Sequence, residues 1–248
     1  MKTLLFKRLF PTLLMIVSLC SANLWAEEPL STDQQAQLDA IQKMLKENPE
    51  ILSDLKQSLT LFTQQQQRFE KVLKENQDYL QNNPDHVQSG ASNPELVIVN
   101  FTDFNCPWCK KLDGELAKLV AAYPEIKLVN IFVPLKEMFG SATGVNSSEY
   151  ALNVWASNKN LYSSVHKLLM KKPGNHNQAS LTQIAQATGT TEQLKETEKA
   201  HQLIQKNIDI LQQLGLRGTP ALLINGKILP GFVPFEQLEK IVTSELKT

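Results

Sequence analysis

From Pro49 onward, Leu52, Leu55, Leu59, Phe62, Gln66, Phe69, Leu73, Asn76 and Leu80 recur at alternating spacings of three and four. That rhythm predicts one long helix with a narrow apolar seam. Running to about Gln81, such a helix would be roughly 50 Å long at 1.5 Å per residue. Its other faces carry Gln, Lys, Glu and Asn, and a stripe so narrow suits a partner helix better than a compact core. Self-association follows as the expectation, with Gln66 and Asn76 restricting register. The alternatives are a helix packed on its own domain or a Gln-rich spacer, to which Gln64 to Gln67 would contribute. A shorter helix precedes it. Ser31 and Gln34 form a capping box ahead of Leu38, Ile41, Met44 and Leu45, and Asn48-Pro49 ends one helix and starts the next.

The pattern then changes. Residues 82–93 are polar, and with Pro84, Gly90 and Pro94 they read as a hinge. Leu96 to Phe101 is apolar without alternation, as in a central strand buried on both faces. A helix runs from Pro107 to near Tyr123-Pro124, and Ile126 to Val133 is a second buried strand. Together they predict a right-handed parallel β-α-β unit. Between Phe139 and Leu214 the pattern is helical: Tyr150 to Lys172, Ser180 to Gln186, and Glu192 to Leu214, punctuated by Pro173-Gly174-Asn175 and Thr188-Gly189-Thr190. His166 falls on one of these helices as a packing or surface residue. After Gly218-Thr219-Pro220, the run Ala221 to Ile224, Asn225-Gly226 and Lys227 to Leu229 carries the strongest short hairpin signal, and Phe235, Leu238, Ile241 and Val242 make a last amphipathic helix. A β-α-β half and a β-β-α half flanking a helical insert is the plan of an α/β, thioredoxin-like fold, here with the insert at about 140–214.

At the N-terminus, Lys2, Lys7 and Arg8 precede the apolar run from Leu9 to Leu19, and Ala26 stands before Glu27-Glu28-Pro29. This reads as a secretory signal peptide, residues 1–26, with Ala22 as a second cleavage candidate. Cys20 follows Val17-Ser18-Leu19, a poor context for lipidation. The apolar run is short for a membrane span, and nothing later approaches the ~20 apolar residues a transmembrane helix needs. The exported chain is expected to be soluble. The 25 basic and 25 acidic residues balance, and the leader takes away basic residues only, so the exported chain is mildly acidic. That charge gives no support for a nucleic-acid partner.

Of three cysteines, only Cys106 and Cys109 survive removal of the leader, so each is the other's partner. Export places them where a disulfide persists. Cys106 falls at a helix N-cap, Pro107 suits the first helical position, and the unpaired N–H groups and dipole there favour a thiolate, with Lys110 and Lys111 adding cationic field. Cys106 is thus the expected accessible, low-pKa nucleophile and Cys109 the shielded resolving thiol of thiol–disulfide exchange. Zinc is the competing use of a C-x-x-C pair. It wants four ligands, and His86, His166, His176 and His201 are scattered without ligand spacing. The alternative functions are a thiolate copper-binding or chaperone module and a dedicated reductase of a single client. The exchange reading needs no cofactor beyond the redox-active disulfide Cys106-Cys109.

Cys106-Pro107-Trp108-Cys109 and Gly218-Thr219-Pro220 resemble the active-site motif and proline loop of the DsbA/DsbC-type periplasmic thiol–disulfide oxidoreductases. The long insert is DsbA-like, whereas Phe101-Thr102-Asp103 and the threonine before the proline are more like the isomerases. The segment around Leu38 to Leu59 is similar to the oligomerisation arm of ScsC-type proteins. With these readings the chain is expected to divide into a signal peptide (1–26), a helical oligomerisation arm (27–82), a linker (83–94) and a catalytic domain (95–248), and the resemblance implies work in the periplasm. It implies that Pro220 is cis and that Thr219, with Pro220, Pro107 and Trp108, contacts substrate by strand-like backbone pairing. Pro107-Trp108 lacks the histidine of strongly oxidising motifs, which implies an intermediate potential. Implied partners are unfolded or misfolded exported proteins, a DsbB-like or DsbD-like membrane protein, and further copies of the chain as a dimer or trimer.

Overall fold

The structure is a computed structural model that describes residues 30–138 and 144–247. The expected signal peptide, Cys20 and the expected start of the insert at 140 lie outside the described residues. The chain divides into two units, up to Gln57 and from Ser58.

In the first unit, α1 (Thr32–Glu47) starts at Ser31 with the capping box to Gln34 in place, and a 3₁₀ turn over Pro49–Ile51 leads into α2 (Leu52–Asn82). No residue of α1 is buried, and Leu38, Ile41 and Met44 stand exposed along one stripe.

The second unit is built on a five-stranded sheet in the order β1 (Val87–Gly90), β3 (Ile126–Phe132), β2 (Leu96–Thr102), β4 (Ala221–Ile224), β5 (Lys227–Pro230). Strands β2 and β3 are parallel and every other neighbouring pair is antiparallel. The β2–β3 crossover is α3 (Pro107–Ala122), and α9 (Phe235–Glu245) follows the hairpin. The central strands are apolar on both sides because each side is covered. Ile98, Leu128, Leu222 and Ile224 join α3 and α9 in one cluster, while Val99, Phe101, Val129, Ile131 and Leu223 face the other.

Helices α4 (Leu135–Met138), α5 (Ser147–Ser157), α6 (Lys159–Lys171), α7 (Gln178–Thr188) and α8 (Glu198–Gln213) follow β3. The single helix expected over Tyr150 to Lys172 is broken at Asn158, which ends α5 and caps α6 by accepting from the Asn160 N–H at 3.1 Å. The helix expected from Glu192 begins only at Glu198, after a 3₁₀ turn at Thr191–Gln193, with Thr197 as its cap. Short polar side chains that hydrogen-bond the backbone compete with helix continuation, and apolar periodicity does not register that competition. Among the described residues no helix is long and apolar enough to cross a membrane.

The seam and the hinge need correction. In α2, Val72 and Leu80 (1% exposed) are core residues and Phe69, Leu73 and Tyr79 pack against them, so this half of the seam is covered by its own domain. Asn76 satisfies its amide locally, donating to the Val72 carbonyl at 2.8 Å, so it needs no partner helix. Leu59, Leu61 and Phe62 (59%) remain exposed. The segment read as a hinge contains the edge strand β1. Pro84 accepts the Trp155 indole N–H at 3.0 Å, Asp85 pairs with Lys199 at 2.6 Å, and His86 is fully buried edge-on to Tyr79. Backbone pairing to β3 outweighed the polar composition of Val87-Gln88-Ser89-Gly90. Gly90 sits at φ +90°, where a Cβ would come within 2.2 Å of the Ile126 carbonyl oxygen.

His86 predicts an acid sensitivity. Neither ring nitrogen has a hydrogen-bond partner, and burial pushes its pKa down to about 4, with Asp85 opposing and Lys206 reinforcing the shift. The unfolded chain binds this proton more readily, so stability is lost as pH falls from about 6.5 towards 4, by about 2 kcal/mol between pH 7 and 5. His176, lowered to about 4 mainly by burial, acts in the same sense, and Asp103, raised to about 6 by burial, in the opposite one. The fall in Tm between pH 7 and 5 should be smaller in His86→Phe than in the wild type. An equal fall in both would show that His86 does not carry the effect.

Candidate active site

Strand β2 ends at Thr102, and the next four residues turn the chain into α3. Asp103 organises that turn. Its Oδ1 accepts the Asn105 N–H at 2.8 Å and its carbonyl accepts the Cys106 N–H at 3.0 Å. Cys106 takes extended backbone angles as the N-cap, and Pro107 follows at the first helical position. The Cys106 Sγ accepts the Cys109 N–H at 3.4 Å and, as a thiol, donates to the Thr219 carbonyl at 3.3 Å. The peptide between Thr219 and Pro220 is cis. Cys106, Pro107, Trp108, Cys109, Thr219 and Pro220 therefore come together where α3 begins, although 113 positions separate Cys106 from Thr219.

Both cysteines are thiols, and their environments drive them apart. The Cys106 pKa is lowered to about 5, most of all by its hydrogen bond with the Cys109 thiol and further by the Cys109 N–H, Thr219 and the Trp108 N–H, against the effect of burial. Burial, and after it the hydrogen bond to Cys106, pushes the Cys109 thiol far above its ordinary range. Cys106 is less accessible than expected, at 7% exposed, although its neighbour Trp108 is 53% exposed. Specific donors at the helix start account for the depressed pKa. The lysines play smaller parts. Lys110 Nζ donates to the carbonyl of Gly174 at 2.9 Å and to that of Lys172, and Lys111 Nζ lies 4.3 Å from the centre of the Trp108 ring. Burial lowers the Lys110 pKa, while the field of Cys106 raises it, so some of the expected cationic field is present.

The insert is tied to the site by residues that apolar periodicity passed over. Asn105 Oδ1 accepts the His176 N–H at 2.6 Å, and His176 Nε2 pairs with the Leu169 carbonyl at 2.9 Å. His166 is a strut: its Nε2 meets Asp113 Oδ1 at 2.8 Å, its Nδ1 meets the Tyr162 hydroxyl at 3.0 Å, and its ring stands edge-on to Phe104. Asp103 is a second residue whose part only the structure shows. It is fully buried, and desolvation raises its carboxyl to about 6 despite the Asn105 N–H. A polar residue immediately after a buried strand was the available signal. Among the described residues no three His, Cys, Asp or Glu side chains gather as a metal would require.

A thiol of lowered pKa at the start of α3, a buried one a turn further on and a proline loop against the first are the arrangement of the thiol–disulfide oxidoreductases of thioredoxin-like fold. Residues 97–243 match the DSBA-like thioredoxin domain, and the chain belongs to that family. Disulfide bond formation protein D of Bacillus subtilis (strain 168) is 24% identical over 177 residues, 64% of this chain and 76% of the relative. Among solved structures, a linker-deletion mutant of Proteus mirabilis ScsC gives a TM-score of 0.68 at 31% identity, covering 90% of this chain and 99% of that one. A periplasmic thioredoxin-like protein from Salmonella enterica serovar Typhimurium gives 0.63 at 34% identity, covering 69% and 96%. The chain is thus of the DsbA type with ScsC-like features.

Proposed function

We propose that the protein acts in the periplasm, forming and rearranging disulfides in exported proteins, with Cys106 as nucleophile and Cys109 as resolving thiol. The observation that carries this reading is the placement of two thiols three residues apart: Cys106 Sγ caps α3, accepting the Cys109 N–H at 3.4 Å beside the Thr219 carbonyl, while Cys109 is 1% exposed, and their pKa values are pushed in opposite directions. In oxidation, a client thiolate attacks Cys106 Sγ, the Cys106–Cys109 bond breaks and Cys109 leaves as a thiolate that takes up a proton. A second client thiolate then attacks the client sulfur of the mixed disulfide and releases Cys106 as its stabilised thiolate. In isomerisation, the Cys106 thiolate attacks a non-native client disulfide and one client sulfur leaves as a thiolate; a different client thiolate then attacks the client sulfur of the mixed disulfide, forming a new client disulfide and releasing the Cys106 thiolate. Thr219 and Pro220 would receive an extended client segment beside the sulfur, and the disulfide is the only redox group required. The stripe of exposed apolar residues in α1 and the exposed Leu59, Leu61 and Phe62 support association of several copies, which would bring several active sites to one client. A DsbB-like or DsbD-like membrane protein would set the resting redox state.

Trapping tests the assignment. Cys109→Ala should accumulate mixed disulfides with exported proteins on non-reducing gels, and Cys106→Ala should accumulate none. Equal trapping by both variants, or by neither, would refute the division of roles.

A further inference from the structure

The chain balances 25 basic against 25 acidic residues, but that balance fails around Cys106. Three segments meet there. Residues 104–112 carry the two cysteines. Residues 169–177 join them where Asn105 Oδ1 accepts the His176 N–H at 2.6 Å and Lys110 Nζ donates to the Gly174 carbonyl at 2.9 Å, and residues 214–224 bring the Thr219 carbonyl to 3.3 Å from Cys106 Sγ. Together these segments hold Lys110, Lys111, Lys171, Lys172 and Arg217, and no Asp or Glu. Lys111, Lys171 and Arg217 are exposed, and Lys110 and Lys172 are half-buried. Lys110 and Lys172 donate to backbone carbonyls, Lys172 Nζ to that of Pro173 at 3.2 Å, while Lys111 Nζ rests 4.3 Å from the centre of the Trp108 ring. Among the described residues none of these cations pairs with a carboxylate, whereas Lys71, Lys118, Lys199 and Lys227 each do. Of the acids nearest in the chain, Asp103 is buried beneath the turn and Asp113 is paired with His166 at 2.8 Å. A carbonyl or an aromatic ring fixes an ammonium group without cancelling its charge, so positive charge is held in place beside the reactive sulfur.

Resting on the proposed exchange at Cys106, we infer that these cations form a basic rim that selects client segments carrying Asp or Glu within two residues of the reacting cysteine. A client that reduces the Cys106–Cys109 disulfide attacks as a thiolate, which is itself an anion. The rim therefore favours the attacking group and gains further from each flanking carboxylate. Successive residues of an extended segment rise about 3.3 Å, so carboxylates one or two positions from the cysteine stay within the Debye length of about 10 Å at 0.1 M salt. A segment flanked by Lys or Arg is repelled by the same charges. Exposed charges are screened by salt, so the selection acts on the rate of productive encounter and is strongest in dilute salt.

The test uses oxidised full-length protein and reduced peptides whose paired cysteines are flanked by Glu or by Lys. One peptide thiolate attacks Cys106 Sγ, the Cys106–Cys109 bond breaks and Cys109 takes up a proton. The second peptide thiolate attacks the peptide sulfur of the mixed disulfide and releases Cys106 as a thiolate, so the peptide loses the two electrons that the protein gains. Each second-order rate constant is divided by that of the same peptide with hydroxyethyl disulfide, an uncharged oxidant, which removes the effect of the flanking charges on the peptide thiol. The Glu-over-Lys ratio should be about tenfold at about 0.01 M salt and near one at about 1 M. In the triple variant Lys111→Gln, Lys171→Gln, Arg217→Gln the low-salt ratio should fall to about threefold or less, and Lys111→Arg, Lys171→Arg, Arg217→Lys should retain it, with thermal melts confirming that each variant folds. A wild-type ratio near one at low salt with brisk exchange on both peptides overturns the rim and leaves the proposed function standing, and so does a ratio that salt leaves unchanged. An unchanged ratio in the Gln variant also overturns it. No exchange on either peptide overturns both readings.

Discussion

Alkylation of the reduced protein by iodoacetamide should reach half its maximal rate near pH 5 and be almost flat from pH 6.5 upward, with Cys106 carrying the label. The expectation follows from the lowering of the Cys106 pKa to about 5, against about 8.5 for a free thiol. Its sign is that of a depressed folded-state pKa. The stabilisation of the reduced form is complete above about pH 8.5 and is lost as pH falls through about 5. Thioredoxin's nucleophile has a pKa near 7 and that of DsbA near 3.5, so a value between them places the potential between about −270 and about −120 mV. Redox titration against glutathione checks it. A potential at either extreme would mean that the hydrogen bonds around Cys106 do not set the equilibrium. Cys106→Ser should reduce exchange by on the order of 10³-fold or more, since Cys109 is 1% exposed and its thiol is pushed far above the ordinary range.

Removing residues through Gln57 should leave a folded domain, and removing them through Asn93 should not. The first cut follows the division between the two units. The second deletes Val72, Leu80 and Val87 from the core, strips β1 from the edge of β3, and takes away the partners of Trp155 and Lys199. Leu80→Ala alone should cost about 2–5 kcal/mol, or roughly 5–15 °C in Tm for a domain of this size. The shorter truncation should keep its rate of oxidising reduced protein while refolding scrambled protein several-fold more slowly, because under the proposed association one client then meets one active site instead of several. Unchanged isomerase activity after that cut would assign the exposed arm another purpose. A cooperative melt at the wild-type Tm after the longer cut would contradict the packing of α2.

The chemistry and most of the fold were legible in the chain. Strands without alternation, an Asn-Gly hairpin, a Cys-Pro start to α3 and helical spacing after it are local signals, and each reports a backbone preference that survives in the folded protein. The proposed division of roles between Cys106 and Cys109 follows from the same local logic, since a helix start supplies donors to its first residue and not to its fourth. Tertiary structure decided what depended on distant partners. Strand β1 exists because β3 offers an open edge, and Val-Gln-Ser-Gly has too little apolar character to announce it. The α2 seam has one periodicity from Leu52 to Leu80, yet its later half is covered by its own domain and its earlier half is exposed, because periodicity states that a face is apolar and not what covers it. His166 and His176 gained their places beside the site only when the insert packed against α3 and the turn before it. Contacts across so many residues are products of the packed sheet, and no short pattern encodes them.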